Sequence, residues 1–273
     1  MKRVLVIVVT HNGMHWLERC LSSVYADADL YVWDNDSTDG SADFVQANYP
    51  AAKLIRSAEN LGFSIPNNKG MQYALDKGYD FAYLLNQDAW LEADALEKLV
   101  AAADANPALG LLSPLQMTDG YQSLDKNFNK YYHKKEIKFV MAAHWLIPAS
   151  ALRRVGLFNE ELFPLWGQDD DWCQRLDYYG LKIGVIPEAR AVHDRAYRKE
   201  EKETLVRRNY YTGSLVRLVD CRRPLWERFL FVICFTCVKA VKYASLLPFK
   251  YLGVIIGQLP LVKNHRKGIR ARA

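Results

Sequence analysis

The chain has 273 residues, of which 50% are apolar and 12% aromatic, enough to bury a full core and too many for a globally disordered protein. Its net charge of +5 hides two opposed parts: 17 Lys/Arg against 5 Asp/Glu from Arg198 onward, and 19 against 26 before it. An acidic body with a basic end suggests a tail that meets an anion, either nucleic acid or a phospholipid surface; we expect the lipid surface and no nucleic acid.

Residues 4–9 form a short apolar run rich in β-branched side chains, as in a strand buried on both faces. Met1-Lys2-Arg3 before it gives the look of a secretion signal. Polar Thr10-His11-Asn12 follows without a small-residue cleavage site, so a first strand and a cytoplasmic protein are expected. Apolar positions from Trp16 to Tyr25 recur at helical spacing. Residues 30–33 read as a second strand, followed by a turn-rich segment and a helix with Ser41 as N-cap. A third strand at 53–56, a helix at 65–77, a fourth strand at 81–85, a helix at 93–105 and a fifth strand at 110–113 complete the first half. Strands alternating with helices predict an α/β fold with a mostly parallel sheet.

The second half is less regular. Residues 117–138 are polar and aromatic, expected as a mobile loop over the site. A strand at 139–147, helices at 149–155 and 168–179, and a last strand at 182–186 follow. The odd set Cys20, Cys173, Cys221, Cys234 and Cys237 lacks metal-site spacing and reads as reduced structural thiols.

Ligand sites in such sheets lie beyond the carboxyl ends of the strands. Three of those ends are polar here: Thr10-His11-Asn12, Asp34-Asn35-Asp36 and Asn86-Gln87-Asp88. Oxygen ligands two positions apart at a strand end suit a hard divalent cation carrying a diphosphate. Asp34 is placed to accept hydrogen bonds from a base or ribose, and Gly62 in Asn60-Leu61-Gly62-Phe63 allows backbone to approach a ligand. Each, taken alone, also suits a turn or a cap.

Taken together, six stretches in order resemble a family 2 glycosyltransferase of GT-A fold, especially its rhamnosyltransferase-like members, which build bacterial surface polysaccharides. They are Val9-Thr10-His11-Asn12, Val32-Trp33-Asp34-Asn35-Asp36-Ser37-Thr38-Asp39-Gly40-Ser41, Glu59-Asn60-Leu61-Gly62-Phe63, Leu84-Leu85-Asn86-Gln87-Asp88, Val155-Gly156-Leu157-Phe158-Asn159 and Gly167-Gln168-Asp169-Asp170-Asp171-Trp172-Cys173-Gln174-Arg175. The resemblance covers about residues 4–195. It implies a catalytic domain at 1–200, with a nucleotide-sugar half at about 1–115 and an acceptor half at about 116–200. A basic amphipathic helical tail occupies 201–273.

The resemblance also implies roles. Thr10, Asn12, Asp34, Asn60, Gly62 and Asn86 would line the nucleotide-sugar site, with Asn86 and Asp88 at the family's Asp-x-Asp position. Asp88 would be the main ligand of Mg2+ or Mn2+, and His193 would face the metal or diphosphate. Asp169 or Asp171 would be the base that deprotonates the acceptor in a single inverting displacement. Two departures stand out: Asn86 replaces an acidic residue, and Gln168 replaces a Glu. Adjacent carboxylates at 169–171 should raise one another's proton affinity, although Asp residues also favour a helix N-terminus. Trp145, Trp166 and Trp172 are candidates for a sugar-stacking floor or for the core. Arg175 and Arg195 are candidates for phosphate contacts or ordinary ion pairs.

In the tail, apolar runs at 229–238 and 251–262 fall short of the ~18 residues that span a bilayer, and basic residues flank them. Helices of this kind suit the inner face of a cell membrane, where a lipid-linked or other glycan acceptor would be met; packing on the catalytic domain or a homodimer is the alternative. Two other enzyme classes lack their signatures. No Gly-rich phosphate loop of a sugar nucleotidyltransferase follows Val9, and Thr10-His11-Asn12-Gly13-Met14-His15 is not the dinucleotide fingerprint. A degenerate chain that binds nucleotide-sugar or glycan without turnover is the non-enzyme alternative.

Overall fold

The computed structural model describes residues 2–118, 121–194 and 202–272. In chain order the elements are β1 (Val4–Thr10), α1 (Met14–Ser22), β2 (Asp29–Asn35), α2 (Ser41–Asn48), β3 (Lys53–Ser57), α3 (Ser64–Asp76), β4 (Phe81–Asn86), β5 (Ala89–Leu91), α4 (Ala95–Ala105), β6 (Leu109–Met117), α5 (Lys126–Tyr132), β7 (His144–Pro148), α6 (Ala149–Val155), α7 (Gln168–Tyr178) and β8 (Lys182–His193). The C-terminal part adds α8 (Lys202–Val206), a π turn at Arg207–Thr212, α9 (Gly213–Val219), α10 (Leu225–Tyr243), α11 (Leu247–Gly257) and α12 (Leu259–Ala271).

β1 is the hub, because its side chains are apolar on both faces. Val4, Val6 and Val8 enter one core with α1 and α4, while Leu5 and Ile7 enter the other with α3, α6 and α7. α3 lies close against β1: a Cβ at Gly70 would stand 2.6 Å from Ile7 Cγ2. The sheet runs β3-β2-β1-β4-β7-β6-β8-β5. β3, β2, β1 and β4 are mutually parallel, β7 runs against both β4 and β6, and β8 is parallel to β6. The sheet is therefore mixed, with the parallel half carrying the three polar strand ends to one edge.

Several expected elements differ. Strand β7 begins only at His144, since residues 139–143 leave the ladder. The strand expected at 182–186 continues to His193 through an irregularity opposite Pro114/Leu115, and there its end pairs antiparallel with β5, an element too short to read from sequence. The expected loop at 117–138 contains α5, whose Phe128 is fully buried. Ser41 is the first helical residue of α2, not its cap; Gly40, at φ 87°, takes that place. Ser41 Oγ instead accepts the Gly13 N–H at 3.1 Å.

The C-terminal helices build a third core around Val206, Tyr210, Leu215, Leu218, Val232 and Ile255, seated on Leu162 and Phe163 of the sheet-containing body. α12 returns to that body. Tyr179 donates to Ile269 O at 2.9 Å, and buried Arg266 reaches the carbonyls of Leu218, Asp220 and Arg223. The opposite side of α10 and α11 is bare: Trp226, Leu230, Ile233, Val238, Val241, Leu246 and Phe249 are exposed. Among the described residues no helix is long and apolar enough to cross a membrane.

Candidate active site

The strand ends are tied to one another by side-chain and backbone hydrogen bonds that run in a ring. Thr10 Oγ1 and His11 N both donate to Gln87 Oε1 at 2.8 Å, joining the ends of β1 and β4. A Cβ at Gly13 would stand 2.3 Å from that oxygen, which explains the glycine. Asn86 N donates to Ala143 O at 3.1 Å, joining β4 to residues 142–143, and the backbone N–H of the neighbouring Ala142 favours the charged form of the Asp169 carboxylate at the start of α7. Phe63 N and Ser64 N both donate to Pro164 O at 3.0 Å, joining the start of α3 to the approach to α7. Gly62 itself, at φ 77°, lies so close that a Cβ would stand 2.8 Å from the same oxygen. Buried Asn35 donates to Asn60 Oδ1 at 2.8 Å and to Gly62 O at 2.9 Å, while Leu61 N donates to its Oδ1 at 2.8 Å. His11 Nδ1 lies 2.8 Å from Asn35 O and closes the ring back to β1.

Inside the first part of this ring, Asn12 adopts φ 50° and its Oδ1 accepts Thr38 N–H at 2.9 Å. Asp34 is buried at the end of β2; its Oδ2 accepts Ser37 N–H at 3.2 Å, while its equally buried Oδ1 has no partner. An unsatisfied buried carboxylate oxygen is costly, so this atom suits a donor on a ligand such as a base N–H or a ribose hydroxyl.

Asp88 and His193 face each other because β5 and β8 pair with Ala89 opposite His193, and Asp194 N–H donates to Asp88 O at 2.8 Å. His193 Nε2 stands 3.3 Å from Asp88 Oδ1, and both side chains are buried. Behind them His144 lies between Tyr83 OH at 3.0 Å and Val192 O at 2.9 Å. Burial pushes His144 down to about 3, so it stays neutral: its Nε2–H donates to Val192 and its Nδ1 accepts from Tyr83. The result is a rigid backing for the β8 end.

At the start of α7 the three adjacent carboxylates separate into two environments. Burial pushes Asp169 up to about 6, against hydrogen bonds from backbone N–H groups including those of Asp170 and Ala142. Burial and the Asp169 charge push Asp170 up to about 7, and Arg217 acts in the opposite sense. Asp171 is fully buried, but there Arg175 and His265 overcome burial and hold its carboxyl below the ordinary value. Arg175 Nε is 2.9 Å and His265 Nε2 2.8 Å from its two oxygens. A carboxylate filled on both sides is an anchor, and a half-buried one with a raised pKa has the properties of a base near neutral pH.

The sequence profile of Glycosyl transferase family 2 matches residues 5–160, more than half of the chain. The chain belongs to that family. Curated relatives of this glycosyltransferase include the dTDP-rhamnosyl transferase RfbF of Shigella flexneri, 22% identical over 70% of this chain and 68% of the relative. Another is the N-acetylglucosaminyl-diphospho-decaprenol L-rhamnosyltransferase of Mycobacterium tuberculosis, 24% identical over 81% of this chain and 86% of the relative. Among solved structures, S. aureus TarS 1-349 in complex with UDP superposes with a TM-score of 0.61 at 15% identity, over 84% of this chain and 69% of that one; against a longer TarS chain the covered share is 41%. The mannosyltransferase PcManGT of Pyrobaculum calidifontis, solved with GDP-Man and Mn2+, gives 0.56 at 20% identity over 98% and 74%. These likenesses establish the GT-A fold.

Within the glycosyltransferase, Thr10, Asn12, Asp34, Asn60, Gly62, Asn86 and Asp169 all take part in, or sit between, the links of the ring, and Asp88 with His193 lies beside its Gln87 corner. Trp145 and Trp172 are fully buried, with ring centres 5.5 Å apart, so they are core and not a sugar floor; Trp166 is half-buried. Arg175 is committed to Asp171 and to the carbonyls of Val155 and Leu157, not to a phosphate. Arg195 lies outside the described residues. Asn35 and Gln87, the amides that hold the ring, were not singled out by the sequence reading. Their signal was position alone, each at a strand end between two expected site residues.

Proposed function

We propose that this glycosyltransferase moves a sugar from a nucleoside-diphosphate-sugar to a lipid-linked or other glycan acceptor, with inversion, in bacterial surface-polysaccharide synthesis at the cytoplasmic face of the membrane. The observation that carries the reading is the link through residues 142–143. Asn86, two positions before Asp88, donates to Ala143 O, and the adjoining Ala142 N–H favours the charged form of the Asp169 carboxylate. The base candidate and the diphosphate end of the site are thereby held on one short turn.

In this reading Asp34 receives the base or ribose, Asn60, Gly62, Thr10 and Asn12 shape the nucleotide side, and Asp169 takes the proton of the acceptor hydroxyl as it attacks the anomeric carbon. Asp171 fixes α7 so that Asp169 stays in place. Among the described residues no group of three or more His, Cys, Asp or Glu gathers to hold an ion. Asp88 and His193 still fit Mg2+ or Mn2+, since such an ion keeps waters and substrate oxygens and needs only one or two protein ligands. Two similar proteins, GalNAc-T7 with UDP and GalNAc and PcManGT with GDP-Man, were solved with Mn2+ bound. Bound there, the ion would supply positive charge to the diphosphate leaving group.

The bare face of α10 and α11, on a segment that also carries exposed Arg223, Lys242 and Lys250, suits insertion into an anionic leaflet, each basic residue near the surface contributing about 1 kcal/mol. Support comes from one relative, the Mycobacterium tuberculosis enzyme named for an N-acetylglucosaminyl-diphospho-decaprenol acceptor. The test is a thermal-shift screen of UDP, dTDP and GDP with and without manganese, followed by measurement of nucleoside diphosphate released from the matching nucleotide-sugars. A manganese-dependent rise in Tm with one nucleotide, and release on adding acceptor, is the expected result. Binding with no release from any donor would favour the degenerate, non-catalytic alternative.

A further inference from the structure

Arg217 sits where the candidate base, the C-terminal helices and their bare apolar face meet, and none of the roles above uses it. Its helix α9 lies against the start of α7: a Cβ at Gly167 would stand 2.5 Å from Thr212 Cγ2 and 3.1 Å from Val216 Cγ2. The guanidinium lies over two aromatic rings of α10, with Cζ 4.7 Å from the centre of Phe235 and 5.4 Å from that of Phe231. The two rings stack at 5.7 Å, and Phe231 continues outward onto the exposed face with Leu230 and Trp226. One guanidinium N–H is given to Gly213 O at 2.6 Å, and among the described residues no carboxylate lies within 4.0 Å. The nearest acidic influence is Asp170, kept partly protonated near neutral pH by burial and the Asp169 charge.

A half-buried guanidinium with an uncommitted fork of donors is suited to bind a phosphate in two places at once, and partial desolvation strengthens the pairing. The aromatic rings beneath it hold the cation in place without neutralising it. On one side lies the helix start with Asp169, and on the other an apolar surface open along α10. These three environments match, in order, the parts of one molecule: a sugar, a phosphate and a hydrocarbon chain. We propose that Arg217 binds the phosphate next to the sugar of an amphiphilic acceptor whose hydrocarbon chain lies along the outer face of α10. This rests on the transferase reading and names the acceptor's chemistry within it.

The test is isothermal titration of farnesyl diphosphate into the full chain already saturated with manganese and whichever of UDP, dTDP and GDP the thermal-shift screen selects, so that the donor diphosphate site is filled. Wild type should bind, Arg217→Gln should weaken binding about tenfold or more, and Arg217→Lys, which keeps the charge and loses the fork, should fall between them. Farnesol should bind wild type and Arg217→Gln alike, because it lacks the phosphate. Melting curves certify each variant, and should Arg217→Gln not fold, the Arg217→Lys comparison carries the test. Equal affinity of wild type and the variants for farnesyl diphosphate overturns the proposal. Arg217-dependent binding of dioctanoyl phosphatidylglycerol of the same strength also overturns it, since the site would then serve a membrane headgroup. Absence of binding by all of UDP, dTDP and GDP would count against the transferase reading, and the farnesyl diphosphate comparison would still be readable.

Discussion

His265 Nε2 lies 2.8 Å from Asp171 Oδ1, joining side chains 94 residues apart. Arg175 Nε takes the other oxygen at 2.9 Å, so the last helix of the chain is tied to the helix that begins beside Asp169. The C-terminal segment is therefore part of the catalytic body along α12 and departs from it only along the outer face of α10 and α11.

Truncating His265→Ala should cost about 1–3 kcal/mol by leaving a buried carboxylate oxygen unpaired, and Arg175→Ala about 3–5 kcal/mol, both read by urea denaturation. The pH sign follows from the depressed Asp171 carboxyl. Its stabilisation is present above the ordinary value of 3.8 and is lost as pH falls through the lower folded value. Asp171→Asn should flatten that acid limb of the stability curve.

Asp88 and His193 should act together on nucleotide affinity. In Asp88→Ala, binding of the nucleotide selected by the thermal-shift screen, measured calorimetrically, should lose its dependence on manganese, and His193→Gln should weaken that dependence in part. Manganese enhancement that survives intact in Asp88→Ala would move the ion elsewhere.

Asp169 should dominate the pH dependence of turnover. Pushed up to about 6 by burial, it must lose its proton to act, so kcat should rise with pH and level off above that value. The stability sign runs the other way. A carboxyl whose folded pKa is raised favours folding below its unfolded value and loses that contribution as pH rises through about 6. Asp169→Asn should therefore raise Tm at neutral pH, because it removes a buried charge.

Much of this arrangement could be read in advance, because a parallel sheet gives its strand ends a shared address. Thr10, Asp34 and Asp88 each follow an apolar run, and a polar residue there is either a turn or a ligand. His193 was expected beside the Asp88 metal position from the resemblance, and what stayed hidden was the pairing that brings it there. His193 reaches Asp88 only because three residues, Ala89, Trp90 and Leu91, form a strand against the end of β8, and so short a strand has no periodicity to detect. Asp171 was indistinguishable from Asp169 because one of its partners comes from the far end of the chain. Its other partner, Arg175 at i+4 on the same helix, was visible and under-used. Asn35 and Gln87 look like turn residues in sequence, and only the fold turns them into the links of a ring.

The exposed face of α10 should decide membrane association. Leu230→Asp combined with Val241→Asp should abolish co-flotation with phosphatidylglycerol vesicles, and neutral phosphatidylcholine vesicles should bind wild type weakly. Wild type that ignores both vesicles and runs as a dimer, which the double variant disrupts, would assign this face to a second copy of the chain.

The central claim is that one hydrogen-bonded ring holds a nucleotide-diphosphate site and a base in a single catalytic centre. Its most direct test is transfer by Asp169→Asn, using the donor and the acceptor identified by nucleotide release. Manganese-dependent donor binding should persist while the transfer rate falls by about 10²–10⁴. Transfer at the wild-type rate in that variant would contradict the account.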